Sequence, residues 1–149
     1  MRKKLMQQVT HSLFKVMETL FFPMPTKQKT APLPSQARPD PEKMKACRIT
    51  FSGSFSGTIF LEISVSLLTA MTQNFPERDP GHRSGEHIEG VLKETLNIIA
   101  GDALTQMDPD VCTQLGIPEI VSSFCCDDMD ETARFETADG SITAHIKLA

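Results

Sequence analysis

The residues of this chain best placed to do chemistry together are a carboxylate and a carboxamide three positions apart, Glu94 and Asn97. On a helix this spacing stacks two side chains on one face, about one turn apart. A carboxylate accepts hydrogen bonds and pairs with a cation. A carboxamide both donates and accepts, so it can hold a water molecule in a set orientation. Gly90 precedes Glu94 by four positions and Gly101 follows Asn97 by four, so the four residues form one ladder. Glycine inside a helix costs about 1 kcal/mol against alanine, and two glycines on one face leave room for another molecule to approach closely. Geometry alone leaves a second reading open, in which Glu94 and Asn97 are solvated surface residues and the glycines are merely tolerated.

The ladder needs a helix to carry it. Ile88, Val91/Leu92, Thr95/Leu96, Ile99 and Ala103 repeat at helical spacing, which predicts a helix over roughly 85–107 with its apolar stripe opposite the ladder. Asp108-Pro109-Asp110 stops it. A second amphipathic helix is predicted over 3–22 from Leu5, Val9, Leu13, Val16/Met17 and Leu20, ended by Pro23 and Pro25. Six of the ten prolines then fall between Pro23 and Pro41, which predicts an extended connector over 23–45. Cys47–Ser52 and Gly57–Val65 read as a hairpin, followed by a short helix from Ser66, its plausible N-cap, to about Phe75. Ile117–Cys126 is strand-like. Thr132–Thr137 and Ser141–Leu148 flank Ala138-Asp139-Gly140, a strong turn signal. In the last strand Ile142, Ala144, Ile146 and Leu148 alternate with Ser141, Thr143, His145 and Lys147. This order predicts an α+β fold, an antiparallel or mixed sheet of about six strands with two long helices packed on one face.

At 149 residues the chain is read as a single domain, 1–149, long enough to bury a core without disulfide or metal staples. No stretch approaches the run of about 20 apolar residues that a membrane span needs. Met1-Arg2-Lys3-Lys4 opens like a secretory signal, but no apolar run follows, so a cytoplasmic location is expected. Residues 1–48 carry ten basic side chains against three acidic, and the remainder five against sixteen. A basic segment can serve nucleic acid, but it lacks the aromatic interleaving and helix-turn-helix pattern of such modules. Packing of the N-terminal helix on the acidic remainder accounts for the asymmetry instead. Cys47, Cys112, Cys125 and Cys126 form no C-x-x-C and read as reduced thiols. His11, His82, His87 and His145 have no ligand spacing and read as surface residues, and Asp127–Glu131 as a solvated acidic loop.

The stretch Glu94-Thr95-Leu96-Asn97-Ile98-Ile99-Ala100-Gly101 resembles the E-x-x-N-x-x-x-G signature of the CheC/CheX/FliY phosphatases, most of all the CheX branch. The N-terminal helix ending Met17-Glu18-Thr19-Leu20, the hairpin 51–65 with its central glycines, the helix after it, and Pro118 at 21 positions beyond Asn97 extend the resemblance over nearly the whole chain. The CheC branch repeats the motif on its first helix. Here the equivalent stretch is Glu18-Thr19-Leu20-Phe21, with phenylalanine in place of the asparagine, so one site per chain is expected. Gly90 stands where many members have Ser or Asp.

The resemblance implies an enzyme that hydrolyses the aspartyl phosphate of a CheY-like response-regulator receiver domain. Asn97 would orient the attacking water and Glu94 would dock to the receiver's lysine, while Gly90 and Gly101 admit the receiver's surface. No cofactor is expected on this chain, and Mg²⁺ would belong to the receiver. A homodimer is also implied. The alternative is a non-catalytic receiver-binding or scaffold module of a two-component or chemotaxis pathway, which would bind a receiver through the same helix face or recruit another protein through its basic N-terminal segment.

Overall fold

A helix with one apolar stripe is stable only where that stripe finds a partner, and this requirement organises the fold. A computed structural model of the chain describes residues 2–20, 27–29, 44–74, 85–107, 113–122, 129–137 and 140–149. The elements in order are α1 (Arg2–Leu20), β1 (Lys27–Lys29), β2 (Met44–Ser52), β3 (Gly57–Ser64), α2 (Val65–Asn74), α3 (Gly85–Met107), β4 (Gln114–Leu115), β5 (Glu119–Val121), β6 (Glu131–Thr137) and β7 (Gly140–Leu148). The sheet runs β1-β6-β7-β3-β2-β4, with β5 also paired to β2, and every pairing is antiparallel. The expected α+β architecture is the one observed, with two long helices against one face of an antiparallel sheet.

One core joins the layers. Leu5, Val9, Leu13, Val16 and Met17 of α1 are buried together with Val91, Leu92, Leu96, Ile99 and Ala103 of α3. Both stripes rest on Ile49 of β2, Ile59, Leu61 and Ile63 of β3, Phe135 of β6, and Ile142, Ala144 and Ile146 of β7. Burying each large aliphatic or aromatic side chain contributes roughly 1.5–3 kcal/mol. Phe14 and Phe135 meet edge to face, centroids 5.2 Å apart, where α1 crosses β6. Among the described residues no helix is long and apolar enough to cross a membrane.

Several expectations need correction. The predicted connector 23–45 contains β1 and the start of β2. β1 pairs with β6 in the register Lys27↔Glu136 to Lys29↔Arg134, so tertiary pairing overrides local composition there. Helix α2 starts at Val65, directly off β3, which places Ser66 in the first turn and not at the N-cap. Of the strand expected over 117–126, β5 forms Glu119–Val121 while residues 123–126 lie outside the described residues, and β4 precedes it. His145 is buried, with Phe60 of β3 and Thr132 of β6 opposite it on the same face. Its Nδ1 lies 3.0 Å from the Thr132 hydroxyl. Asp130 is no free loop acid, since it accepts the Leu148 N–H at 2.7 Å. Gly140 opens β7 at φ +153°, and a Cβ there would collide with the Ser64 hydroxyl. Cys112, Cys125, Cys126, His82, Asp139, the end of the first helix at Phe21 and Phe22, and Asp127 and Asp128 lie outside the described residues.

Cys47 of β2 is fully buried and its thiol donates to the Leu92 carbonyl of α3 at 3.7 Å. Burial pushes this thiol up to about 12 from its usual 9.0, with Lys93 opposing weakly. The charged form is therefore disfavoured in the fold but not in the unfolded chain. The resulting stability is fully present below pH 9 and is lost as pH rises from there through about 12. Thiol alkylation at pH 8 followed by peptide mass mapping should find Cys47 unmodified in the native protein and modified in denaturant.

Candidate functional site

The sequence of α3 assigns its two sides different tasks. Val91, Leu92, Thr95, Leu96, Ile99, Ala100, Ala103 and Leu104 are buried, and the Thr95 hydroxyl returns to the Val91 carbonyl at 2.7 Å, so this side carries no unpaired hydroxyl. The opposite side presents Gly90, Glu94 and Asn97 to solvent, with Gly101 half-buried at the far end. At 1.5 Å per residue the ladder from Gly90 to Gly101 is about 16 Å long. Glu94 and Asn97 occupy its middle as neighbours across one turn. Among the described residues neither side chain has a hydrogen bond or ion pair. Both are therefore available to a molecule that comes to the helix.

The acids next to the ladder are already engaged. Glu89 pairs with Lys45 of β2 at 3.3 Å. Asp102 accepts the Ser12 hydroxyl of α1 at 2.6 Å and lies 3.9 Å from the Lys15 ammonium. Half-exposed ion pairs of this kind are worth at most about 1 kcal/mol each, so their value is positional. Near one end α3 is tied to the sheet and near the other to α1. This fixes the azimuth of the helix and hence the direction in which Glu94 and Asn97 point.

The two glycines differ. A Cβ on Gly90 would meet nothing within 4 Å, so that end of the ladder is open. A Cβ on Gly101 would lie 3.7 Å from Cδ1 of Leu115, so β4 borders the other end. Sequence reasoning places Gly90, Glu94, Asn97 and Gly101 on one face, and the structure brings them together there. It misses Leu115, because a two-residue strand has no periodicity to read, and it misses the anchoring roles of Glu89 and Asp102, because their partners lie far away in sequence. Among the described residues no group of three or more His, Cys, Asp or Glu converges as a metal site.

This acid–amide pair stands exposed on a tethered, glycine-flanked helix face. It is suited to positioning: the amide can orient a small polar molecule, and the carboxylate can engage a cationic group on a partner.

Comparison with known proteins bears on which partner that is. The family described as chemotaxis phosphatase CheX matches residues 46–127, a span that holds most of β2 and all of β3, α2 and α3. Among solved structures, a chemotactic CheC-like protein from Shewanella oneidensis superposes with a TM-score of 0.74 at 18% identity, covering 100% of both chains. The chemotaxis protein CheX of Vibrio vulnificus gives 0.72 at 18% identity, covering 97% of this chain and 96% of that one. A chain of the CheX–CheY–BeF₃–Mg²⁺ complex from Borrelia burgdorferi gives 0.65 at 15% identity, covering 96% of each. At these identities the likeness is one of fold. No curated protein matches the sequence.

The open space at Gly90 sets up a contrast between stability and function. Gly90→Ala should raise stability by about 1 kcal/mol, read as a higher urea midpoint at constant slope. A fall in the midpoint would mean that the glycine is needed by the fold and not by what approaches it.

Proposed function

The chain belongs to the CheX family of chemotaxis phosphatases, and on that premise we propose that it hydrolyses the aspartyl phosphate on a CheY-like response-regulator receiver domain. The observation that carries this reading is the exposed Glu94/Asn97 pair in the middle of a ladder whose ends are glycine. The acyl phosphate is already reactive, so catalysis needs a water held in line with phosphorus and little else. The Asn97 side chain would accept a hydrogen bond from that water through its carbonyl and donate one from its amide to a phosphoryl oxygen. The water oxygen forms the new P–O bond and the receiver's aspartate leaves as carboxylate, giving inorganic phosphate. Glu94 would pair with a lysine of the receiver and so set the depth at which Asn97 enters. Mg²⁺ would be held by the receiver and would offset phosphoryl charge there. The association of a CheX with CheY, BeF₃ and Mg²⁺ in the Borrelia complex supports the choice of partner.

The same reading places the protein in the cytoplasm with its receiver, with no nucleic-acid partner. It has one site per chain, because Phe21 replaces the asparagine of a second motif. It also includes a homodimer formed through an edge of the sheet. Light scattering at micromolar concentration should give twice the chain mass, and a monomer mass would remove the dimer.

The second reading, a receiver-binding module without catalysis, differs in one observable. It gives saturable receiver binding with an unchanged phosphoryl lifetime. For the phosphatase, phosphate release from a phosphorylated receiver should fall on the order of 100-fold or more in Asn97→Ala, since an oriented polar group is lost at the reacting centre. Glu94→Ala should mainly weaken docking and raise KM by about tenfold or more. Equal rates for wild type and Asn97→Ala would refute the assignment.

A further inference from the structure

We propose that Leu115 and Ile117 form an apolar docking step for the receiver domain at the C-terminal end of the Gly90–Gly101 ladder, an inference that rests on the function proposed above. Single exposed apolar residues are common on protein surfaces and mean little by themselves. These two are distinguished by position, rigidity and what the ladder lacks.

Position comes from β4. Leu115 stands opposite Phe51, whose ring belongs to the core on the helix side of the sheet, and cross-strand neighbours share a face. Its Cδ1 lies 3.7 Å from where a Gly101 side chain would begin. The apolar surface therefore continues directly from the end of the ladder. Ile117 follows two residues later. Leu115 at 36% and Ile117 at 84% exposure are the two large apolar side chains on the surface of the described residues.

Rigidity comes from β2, which holds this span on both sides. The Gly116 N–H donates to the Thr50 carbonyl at 2.8 Å. The backbones approach so closely there that a Cβ on Gly116 would lie 2.5 Å from the Thr50 hydroxyl. Beyond Pro118, β5 resumes the pairing at Arg48↔Glu119, reinforced by an Arg48–Glu119 ion pair of 3.1 Å. Pro118 restricts the backbone of Ile117 to extended conformations, and a β-branched side chain has few χ1 choices. Ile117 is thus displayed on a fixed span and has little freedom left to lose on binding.

The ladder itself supplies direction but almost no apolar area, being two glycines, a carboxylate and a carboxamide. Protein contacts gain most of their affinity from a few apolar anchors and the water they exclude. Among the described residues the exposed apolar side chain beside this ladder is Leu115, and Ile117 continues the surface two residues further along the same span. The fitting partner is the apolar surface bordering the phosphorylated aspartate of the same receiver whose phosphoryl group Asn97 would address.

The test measures binding of the receiver loaded with beryllofluoride and Mg²⁺, alongside KM and kcat for phosphate release. Ile117→Ser should weaken binding and raise KM by about tenfold, with kcat and the denaturation midpoint unchanged. Ile117→Val should stay within about twofold. Asn97→Ala should lose kcat while binding is retained. Unchanged receiver affinity in Ile117→Ser overturns the docking step. If its solution mass then drops, Ile117 belongs to a contact between copies; if nothing changes, it is an ordinary surface residue. If the wild type neither binds the loaded receiver nor shortens the phosphoryl lifetime, the proposed function falls and the docking step with it.

Discussion

Helix α3 must bury Val91, Leu92, Leu96, Ile99 and Ala103, and it can do so only on a surface that α1 and the sheet make together. That single requirement sets the rest. It fixes which side of α3 is hidden, and a helix with one side hidden has one side left to present. The polar contacts then refine the placement. Cys47 reaches the backbone of Leu92, Lys45 reaches Glu89, and Ser12 reaches Asp102, so β2 and α1 hold the helix at several points along its length. None of these contacts is strong alone. Acting on a helix already seated by its apolar stripe, they leave little freedom of rotation.

A site made this way needs few residues. The chemistry assigned to Glu94 and Asn97 depends on direction more than on activation, because the proposed substrate brings its own reactivity and metal. What the fold has to provide is a stiff support and an approach free of obstruction. The buried stripe and its tethers provide the first, and the glycines at Gly90 and Gly101 the second. The helix tolerates two residues of low helical propensity because tertiary packing, not propensity, stabilises it.

Much of this could be read from the sequence. The stripes of α1 and α3 and the four-residue ladder follow from the 3.6-residue period, and the inward set Ile142, Ala144 and Ile146 follows from the period of two in β7. The misses share a cause. β1 and β4 are three and two residues long, too short for any period, and they exist because β6 and β2 pair with them. His145 alternates like an exposed residue, yet it is buried beside Phe60 and Thr132, and which residues stand opposite it in the sheet is not a local property. Leu115 beside Gly101 belongs to the same class: a neighbour in space with no trace in the spacing.

The contact between Ser12 and Asp102 spans 90 residues, and it is one of many that cross the chain this way. α1 packs on α3 and β6, while β1 pairs with β6. The first helix leaves the ribosome with its apolar stripe complete and every partner for that stripe still to be translated. Contacts this distant in sequence form slowly, and the apolar face stays open to other chains until they do. Folding of this domain is thus finished from its C-terminal half, and a chain interrupted before α3 would carry an exposed stripe with nowhere to place it.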